Sequence, residues 1–184
     1  MKIVKSSIAL LLVLLLVTTF ACGGSGPQSN PTPLPGWSTY SNSSLGISMQ
    51  YRQDWTKVEG QFDVVEFFSP LTGESSPQGV LMIYVHDALN MTLSERVDEW
   101  ISYREKSVQD FNLSESNVTT IAGIPAHKVV YTWEDEDYGF LMKNMEIHAI
   151  KDSTEYIIIY MVYESAYANY LDTAQQMIDS FVIY

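Results

Sequence analysis

Two apolar segments constrain the fold more than any other feature of the sequence. Residues 80–86 (VLMIYVH) and 155–163 (EYIIIYMVY) are apolar on both of their alternating faces. A strand with one side open to water alternates apolar and polar residues, whereas a strand covered on both sides need not. The sequence therefore predicts two interior strands in a sheet that carries helices on both faces.

Two segments have the pattern expected of those helices. Thr92 and Glu95 form a capping box, and apolar residues follow at helical spacing, which predicts a helix over residues 93–110. A second apolar stripe predicts a helix over residues 166–180. One helix on each face of the sheet would cover the interior strands.

The remaining strands are short and separated by turn signals. Hairpins are predicted around Gly123, over residues 134–139 and over residues 151–154, and consecutive hairpins make a sheet antiparallel. The predicted fold class is α+β, an α/β/α sandwich with a central, largely antiparallel sheet. The other predicted strands are residues 47–51, 55–59, 64–69, 118–121, 126–133 and 140–150.

The N-terminus has the layout of an export signal. Residues 1–21 contain two lysines and then an apolar run, which predicts a cleaved signal peptide because the run is shorter than a spanning helix. Cys22, the single cysteine, follows as in a bacterial lipobox, so we expect a lipid on Cys22; the alternative is ordinary cleavage that leaves an unpaired thiol. Residues 22–36 then form a Gly/Pro/Ser linker before a single domain over residues 37–184.

The charge of the chain limits its partners. The sequence has 10 basic and 22 acidic residues, and cleavage removes two basic residues and no acidic ones, so the formal net charge changes from −12 to −14. Nucleic acid and anionic lipid head groups are repelled by such a surface. We therefore expect no nucleic-acid binding, and membrane contact through the N-terminal lipid only.

Several short segments follow one another along the chain: Tyr40 with residues 45–51 (LGISMQY), the turn into Trp55, and residues 65–69 (VEFFS), 92–95 (TLSE), 120–126 (TIAGIPA) and 177–181 (MIDSF). In this order and spacing they resemble the PsbP family, whose plant members are extrinsic subunits of the photosystem II oxygen-evolving complex. Arg52 departs from the pattern, because related sequences often have proline there. The resemblance implies an antiparallel sheet between helices and a non-catalytic role in scaffolding or assembly.

Two sets of residues are candidate binding groups. If the hairpin pairs Trp133 with Phe140, then His127 lies opposite Glu146 and diagonal to His148, and these three side chains could bind zinc or a similar ion. Hydrogen bonding within the sheet is the simpler interpretation of these histidines. Aromatic residues that could form a contact surface for a partner are Trp133, Tyr138, Tyr163, Tyr167 and Tyr170.

The acidic segment 134–137 is interpreted as a solvated turn rather than a calcium loop. No nucleophile elbow, zinc-protease motif or phosphate-binding loop occurs, so we expect no enzyme activity.

The predicted function is an exported module, anchored at the outer face of the membrane, that binds a protein of an envelope complex; the alternative is a small-ligand or metal-binding protein. Potential N-glycosylation sites are Asn42, Asn90, Asn112 and Asn117.

Overall fold

A computed structural model describes residues 33–60, 64–71, 78–136 and 139–184. The predicted signal peptide, Cys22 and residues 22–32 of the predicted linker lie outside these residues. The described elements, in chain order, are β1 (Trp37–Asn42), β2 (Ile47–Arg52), β3 (Thr56–Glu59), β4 (Val64–Phe68), β5 (Gly79–Asp87), α1 (Leu93–Ser107), β6 (Gln109–Ile121), β7 (Ile124–Glu134), β8 (Leu141–Lys151), β9 (Thr154–Tyr163), a short 3-10 helix (Glu164–Ala166), α2 (Tyr167–Asp179) and β10 (Val182–Ile183).

Seven strands form one antiparallel sheet in the order β3-β4-β5-β9-β8-β7-β6. The two doubly apolar segments are β5 and β9, and they pair with each other in the interior of this sheet. Leu81 and Ile158 are buried on one face, and Met82 and Ile157 are buried on the other. The prediction of interior strands covered on both faces is therefore confirmed.

The two helices lie on opposite faces of the sheet. Helix α1 contacts β6, β7 and β8, and it begins at the predicted capping box, where the Thr92 hydroxyl accepts a hydrogen bond from the Glu95 amide. Helix α2 contacts β9 and β5 on the other face and buries Met177 and Ile178 there. The predicted α+β class, with a central antiparallel sheet between helices, is confirmed.

A second, three-stranded sheet was not predicted. Its order is β1-β2-β10, and it covers the same side as α2, where Trp37, Tyr40 and Met49 join the main hydrophobic core. The sequence of β1, WSTYSN, contains no apolar run, and β10 has only two residues. Neither strand has a period long enough to be recognised from sequence.

The boundary after α1 was predicted incorrectly. The helix ends at Ser107 instead of residue 110, Val108 is extended, and β6 begins at Gln109 instead of Val118. Phe111, which fits the helical stripe, instead lies in β6 with its ring 5.1 Å from that of Tyr131. Pairing with β7 outweighed the local helical pattern in this segment.

Two tight hairpins fix the register of the sheet. Ala122 and Gly123 join β6 to β7, Asp152 and Ser153 join β8 to β9, and all four have positive φ, as two-residue turns of this kind require.

The hairpin between β7 and β8 has a different register from the one predicted. Trp133 pairs with Met142 instead of Phe140, so the partner of His127 is His148 instead of Glu146. A shift of two residues keeps the side chains on the same face.

No helix among the described residues is long and apolar enough to cross a membrane.

The interior position of β9 predicts the effect of core truncation. Replacing Ile158 with alanine should lower the free energy of unfolding by about 2–5 kcal/mol, because the cavity forms where strands and α2 meet. The control V118A, at an exposed site, should change it by less than about 0.5 kcal/mol. Urea denaturation measures both, and equal small effects would contradict the packing described here.

Candidate functional site

A cluster of polar side chains lies buried between the sheet and α1. Glu146 and His148 on β8 are 0% exposed, and Glu155 at the start of β9 is also buried. The neighbouring strands place them there, because Glu146, His148 and their partners alternate on the face that α1 covers. Burying charged groups costs free energy unless they are paired, so the partners decide what this cluster can do.

Glu155 is the centre of one half of the cluster. Its Oε2 accepts a hydrogen bond from Nε of Arg96 at 2.8 Å and lies 2.8 Å from Nε2 of His86. Its Oε1 lies 3.2 Å from Nδ1 of His148. Arg96 comes from α1 and His86 from the end of β5, so one carboxylate links the helix to three strands.

Glu146 is the centre of the other half. Its Oε1 accepts hydrogen bonds from the Tyr131 hydroxyl at 2.6 Å and from Nδ2 of Asn144 at 3.3 Å. Nδ2 of Asn144 also donates to the Tyr131 hydroxyl, and Nε1 of Trp133 donates to Oδ1 of Asn144. We call these connected groups the α1 network, comprising Arg96, Tyr131, Asn144, Glu146, His148 and Glu155.

The two halves face each other through one pair of atoms. Nε2 of His148 lies 3.6 Å from Oε2 of Glu146, and neither atom has a hydrogen-bond partner among the described residues. The network therefore holds two carboxyl groups, Glu146 and Glu155, and two basic groups, Arg96 and His148.

The contacts shift the pKa values of the network. Burial lowers the pKa of His148, but its contacts with Glu146 and Glu155 outweigh burial and raise the pKa above 6.5. Burial raises the pKa of Glu155, but hydrogen bonds with His148, Arg96 and His86 outweigh it and lower the pKa to about 2. Both shifts favour the charged forms of His148 and Glu155.

The network is closed to molecules of substrate size. Tyr131, Glu146 and His148 are fully buried, the Arg96 side chain is 17% exposed, and His86, at the edge, is 44% exposed. An acid or base must reach the proton that it transfers, and these groups are covered by α1. The geometry fits a device that fixes the helix on the sheet.

The residues predicted to bind a metal are brought to one face but do not converge. His127 lies opposite His148, as the observed register requires, and its Nε2 is 2.8 Å from the Ser116 hydroxyl. Burial lowers the pKa of His127. Within the described ranges, no group of three His, Cys, Asp or Glu side chains is arranged to hold a metal ion. The metal site made of His127, Glu146 and His148 stays a prediction without a matching cluster.

The predicted aromatic contact residues lie at several places. Tyr138 lies outside the described residues, and Trp133 packs beside α1. Tyr167 accepts a hydrogen bond at its backbone carbonyl from the Tyr160 hydroxyl, and Tyr170 packs edge-on against Trp55. All four described members of the set, Trp133, Tyr163, Tyr167 and Tyr170, are half-buried.

An exposed apolar surface lies at the end of the sheet where β4 and β9 end and β5 and β8 begin. Phe140 and Leu141 are each 49% exposed, and the Phe140 ring lies 5.1 Å from that of Tyr163. Two adjoining clefts, about 260 and 410 Å³ in volume, share Gln78, Phe140 and Tyr163. We call this surface the end patch, comprising Phe68, Phe140, Leu141, Met142, Met161 and Tyr163.

A second cleft lies on the opposite face, between α2 and the outer strands. It has a volume of about 560 Å³, and its lining includes Thr119, Lys128, Ile147 and Gln175. Lys128 forms an ion pair with Glu115 at 2.7 Å, so this lysine is already neutralised. This cleft is a possible location for the small-ligand alternative, which stays a prediction.

The predicted glycosylation sites are accessible to different degrees. Asn90, Asn112 and Asn117 are exposed, whereas Asn42 is half-buried and its Oδ1 accepts hydrogen bonds from the amides of Ser44 and Leu45. Modification of these residues stays a prediction.

Sequence reasoning missed most of the α1 network and the end patch. The signal for the network was a strand, β8, with Asn144, Glu146 and His148 at alternate positions of an otherwise apolar face. Arg96 and Glu155 are 59 residues apart, and no local pattern connects them. For the end patch, only Tyr163 was predicted.

The fold defines the class of the protein, an α+β domain of PsbP-like architecture. The model of the family described as PsbP-like protein matches residues 29–183, and the chain belongs to this family. No curated protein matches the sequence.

Similar solved structures share the fold at low sequence identity. The cyanobacterial PsbP, CyanoP, from Synechocystis has a TM-score of 0.62 and 13% identity, covering 89% of this chain and 98% of that one. LpqN of Mycobacterium tuberculosis, described as involved in cell envelope biogenesis, has a TM-score of 0.59 and 10% identity over 74% and 82% of the two chains. A Pseudomonas aeruginosa protein described as a putative regulator of unknown function has a TM-score of 0.59 and 13% identity over 78% and 94%.

The lowered pKa of Glu155 predicts how stability depends on pH. The pKa falls from 4.5 to about 2 on folding, so the contribution of this carboxylate is present above pH 4.5 and is lost as the pH falls towards 2. The variant E155Q lacks that contribution. The difference in unfolding free energy between wild type and E155Q should be on the order of 3 kcal/mol at pH 6 and shrink towards pH 2.

The matched control is E99Q, because exposed Glu99 contacts the same Arg96 at 2.7 Å. Its stability should follow that of the wild type within about 0.5 kcal/mol, since surface ion pairs contribute little. Chemical denaturation at a series of pH values measures all three proteins. A difference for E155Q that does not vary with pH would contradict the assigned role.

Proposed function

We propose that the protein is an extracytoplasmic, membrane-tethered and non-catalytic module that binds a protein of a cell-envelope complex. The observation that carries this proposal is the end patch, where apolar and aromatic side chains are exposed next to two clefts. An exposed apolar surface of this kind is typical of sites where another protein binds.

The composition of the end patch suits a protein partner. Phe140 and Tyr163 offer rigid aromatic surface, of the type enriched at the centres of protein interfaces. Met142 and Met161 line the same cleft, and methionine side chains adapt their shape to the group that contacts them. A partner that inserts one apolar side chain into the smaller cleft would bury these four residues together.

The comparisons support the absence of catalysis and the envelope location. The PsbP-like family is generally non-catalytic, and LpqN, which shares the fold, is described as involved in cell envelope biogenesis. The closed α1 network is consistent with the absence of catalysis. The acidic net charge, −14 after the predicted cleavage, favours a partner with a basic rim around an apolar centre.

The tether is the part of the proposal that rests on sequence alone. If Cys22 carries the lipid, the wild-type protein expressed in a bacterium should fractionate with membranes and gain the mass of a lipid. The variant C22S should be released into the soluble extracytoplasmic fraction, because the remaining chain has an acidic surface that anionic membranes repel. An unmodified wild-type mass would contradict lipid anchoring.

The end patch is tested by a single substitution. F140S removes the most exposed aromatic ring of the patch and should reduce capture of a partner from native membranes at least tenfold, as loss of an interface anchor does. The control Y103S removes an exposed ring from α1, outside the patch, and should leave capture unchanged. Quantitative pull-down compares the three proteins.

Equal capture by wild type and F140S would place the binding surface elsewhere. Recovery of the bait alone by wild type, F140S and Y103S would contradict the protein-binding function itself.

A further inference from the structure

We propose that β6 pairs with β6 of a second copy of this chain. The pairing is antiparallel, has a two-fold axis at Val118 and joins the two seven-stranded sheets into one. It goes beyond the proposed function and rests on a different part of the molecule, the outer edge of the sheet. Four observations on β6 carry it.

The first observation is that β6 is an edge strand with regular geometry in its second half. It pairs with β7 on one side only, and its register has irregularities between Gln109 and Asn112 and between Leu113 and Glu115. From Glu115 to Ile121 the register is continuous. Bulges normally protect an edge against pairing with another strand, and this stretch has none.

The second observation concerns the direction of the backbone groups. The two-residue turn makes Ile121 and Ile124 a hydrogen-bonded pair, and hydrogen-bonded and non-hydrogen-bonded pairs alternate along an antiparallel ladder. The amide and carbonyl groups of Thr120, Val118 and Ser116 therefore point away from β7. A strand added at this edge would bond to these three residues.

The third observation is that the edge is complementary to itself. With the axis at Val118, Ser116 faces Thr120 of the second copy, Asn117 faces Thr119, and the two Val118 residues face each other. Val118 is 84% exposed, the highest exposure among the large apolar side chains of the described residues. Pairing would cover it with an identical β-branched side chain, a favourable cross-strand pair.

The fourth observation is electrostatic. Two chains of net charge −12 repel each other, but residues 116–121 carry no charge. We call the paired residues 115–121 of the two copies the seam. At its margin, Glu115 faces Ile121 of the second copy, and the Glu115 carboxylate is already paired with Lys128 of its own chain at 2.7 Å. No like charges are placed opposite each other along the seam.

The other edge of the same sheet lacks these properties. Strand β3 has only four residues, and it carries Lys57 and Glu59, which pair with each other. Short edge strands with charged side chains resist strand addition. The contrast makes β6 the preferred edge for self-association and gives a control position, the exposed Val58 of β3.

A seam of seven residues is short, so the association should depend on concentration. Sedimentation velocity should show a shift from the mass of one chain towards twice that mass as the concentration rises from micromolar to millimolar. V118K places two like charges opposite each other and should stay monomeric over the same range. V58K should associate as the wild type does.

A cysteine test reports the register directly. In a C22S background, V118C should form a disulfide-linked dimer, because a hydrogen-bonded pair has Cα atoms about 5.5 Å apart, within the range of disulfides. S116C and T120C should each remain unlinked alone and form a mixed disulfide when combined. These positions are exposed, so the variants should fold.

Three results would overturn the proposal: a wild type that stays monomeric at all concentrations, a V118K variant that dimerises as the wild type does, or S116C and T120C that fail to cross-link with each other in a protein that dimerises. The partner-capture experiment with F140S does not involve β6, so failure of either proposal leaves the other measurable.

Discussion

The need to cover β5 and β9 on both faces determines most of this structure. These two strands are adjacent at the interior of the seven-stranded sheet and are apolar in both directions. Water on either face would leave a row of isoleucine, methionine and valine side chains exposed, at a cost of roughly 1.5–3 kcal/mol for each. Helix α2 and the three-stranded sheet cover one face. On the other face, the buried side chains of β5 and β9 pack with Phe68, Tyr84 and Met161, beside the strands β6, β7 and β8 that α1 covers.

The position of α1 depends on polar contacts more than that of α2 does. Helix α2 buries Ala174, Met177 and Ile178, whereas Val97 is the one fully buried residue of α1 among the described side chains. The salt bridge between Arg96 and Glu155 adds directional contacts where apolar packing is thinner. Buried ion pairs contribute little net stability compared with well-packed apolar groups, but they fix geometry. The α1 network therefore specifies where the helix lies.

The sequence predicted those parts of the fold whose signals are local and periodic. The capping box at Thr92, the doubly apolar strands and the two-residue turns all depend on neighbouring residues, and the structure contains each of them. It did not predict β1 or the early start of β6, because their pairing with distant strands decides their conformation. The candidate sites follow the same division. The ion pair of Arg96 with Glu155, and the meeting of Phe140 with Tyr163, exist only after the sheet has formed.

The sheet also relates the two proposed surfaces to each other. The end patch lies where β8 and β9 meet the hairpin after Glu134, and Val118 lies towards the other end of the sheet. In an antiparallel pair, residues that face each other lie on the same side of the sheet, so pairing through β6 would put both α1 helices on one face. The two end patches would then lie at opposite ends of a continuous fourteen-stranded sheet, pointing in opposite directions. A partner with two copies of the segment that binds the end patch could bind both patches at once. The increase in its affinity would depend on the distance between those two segments.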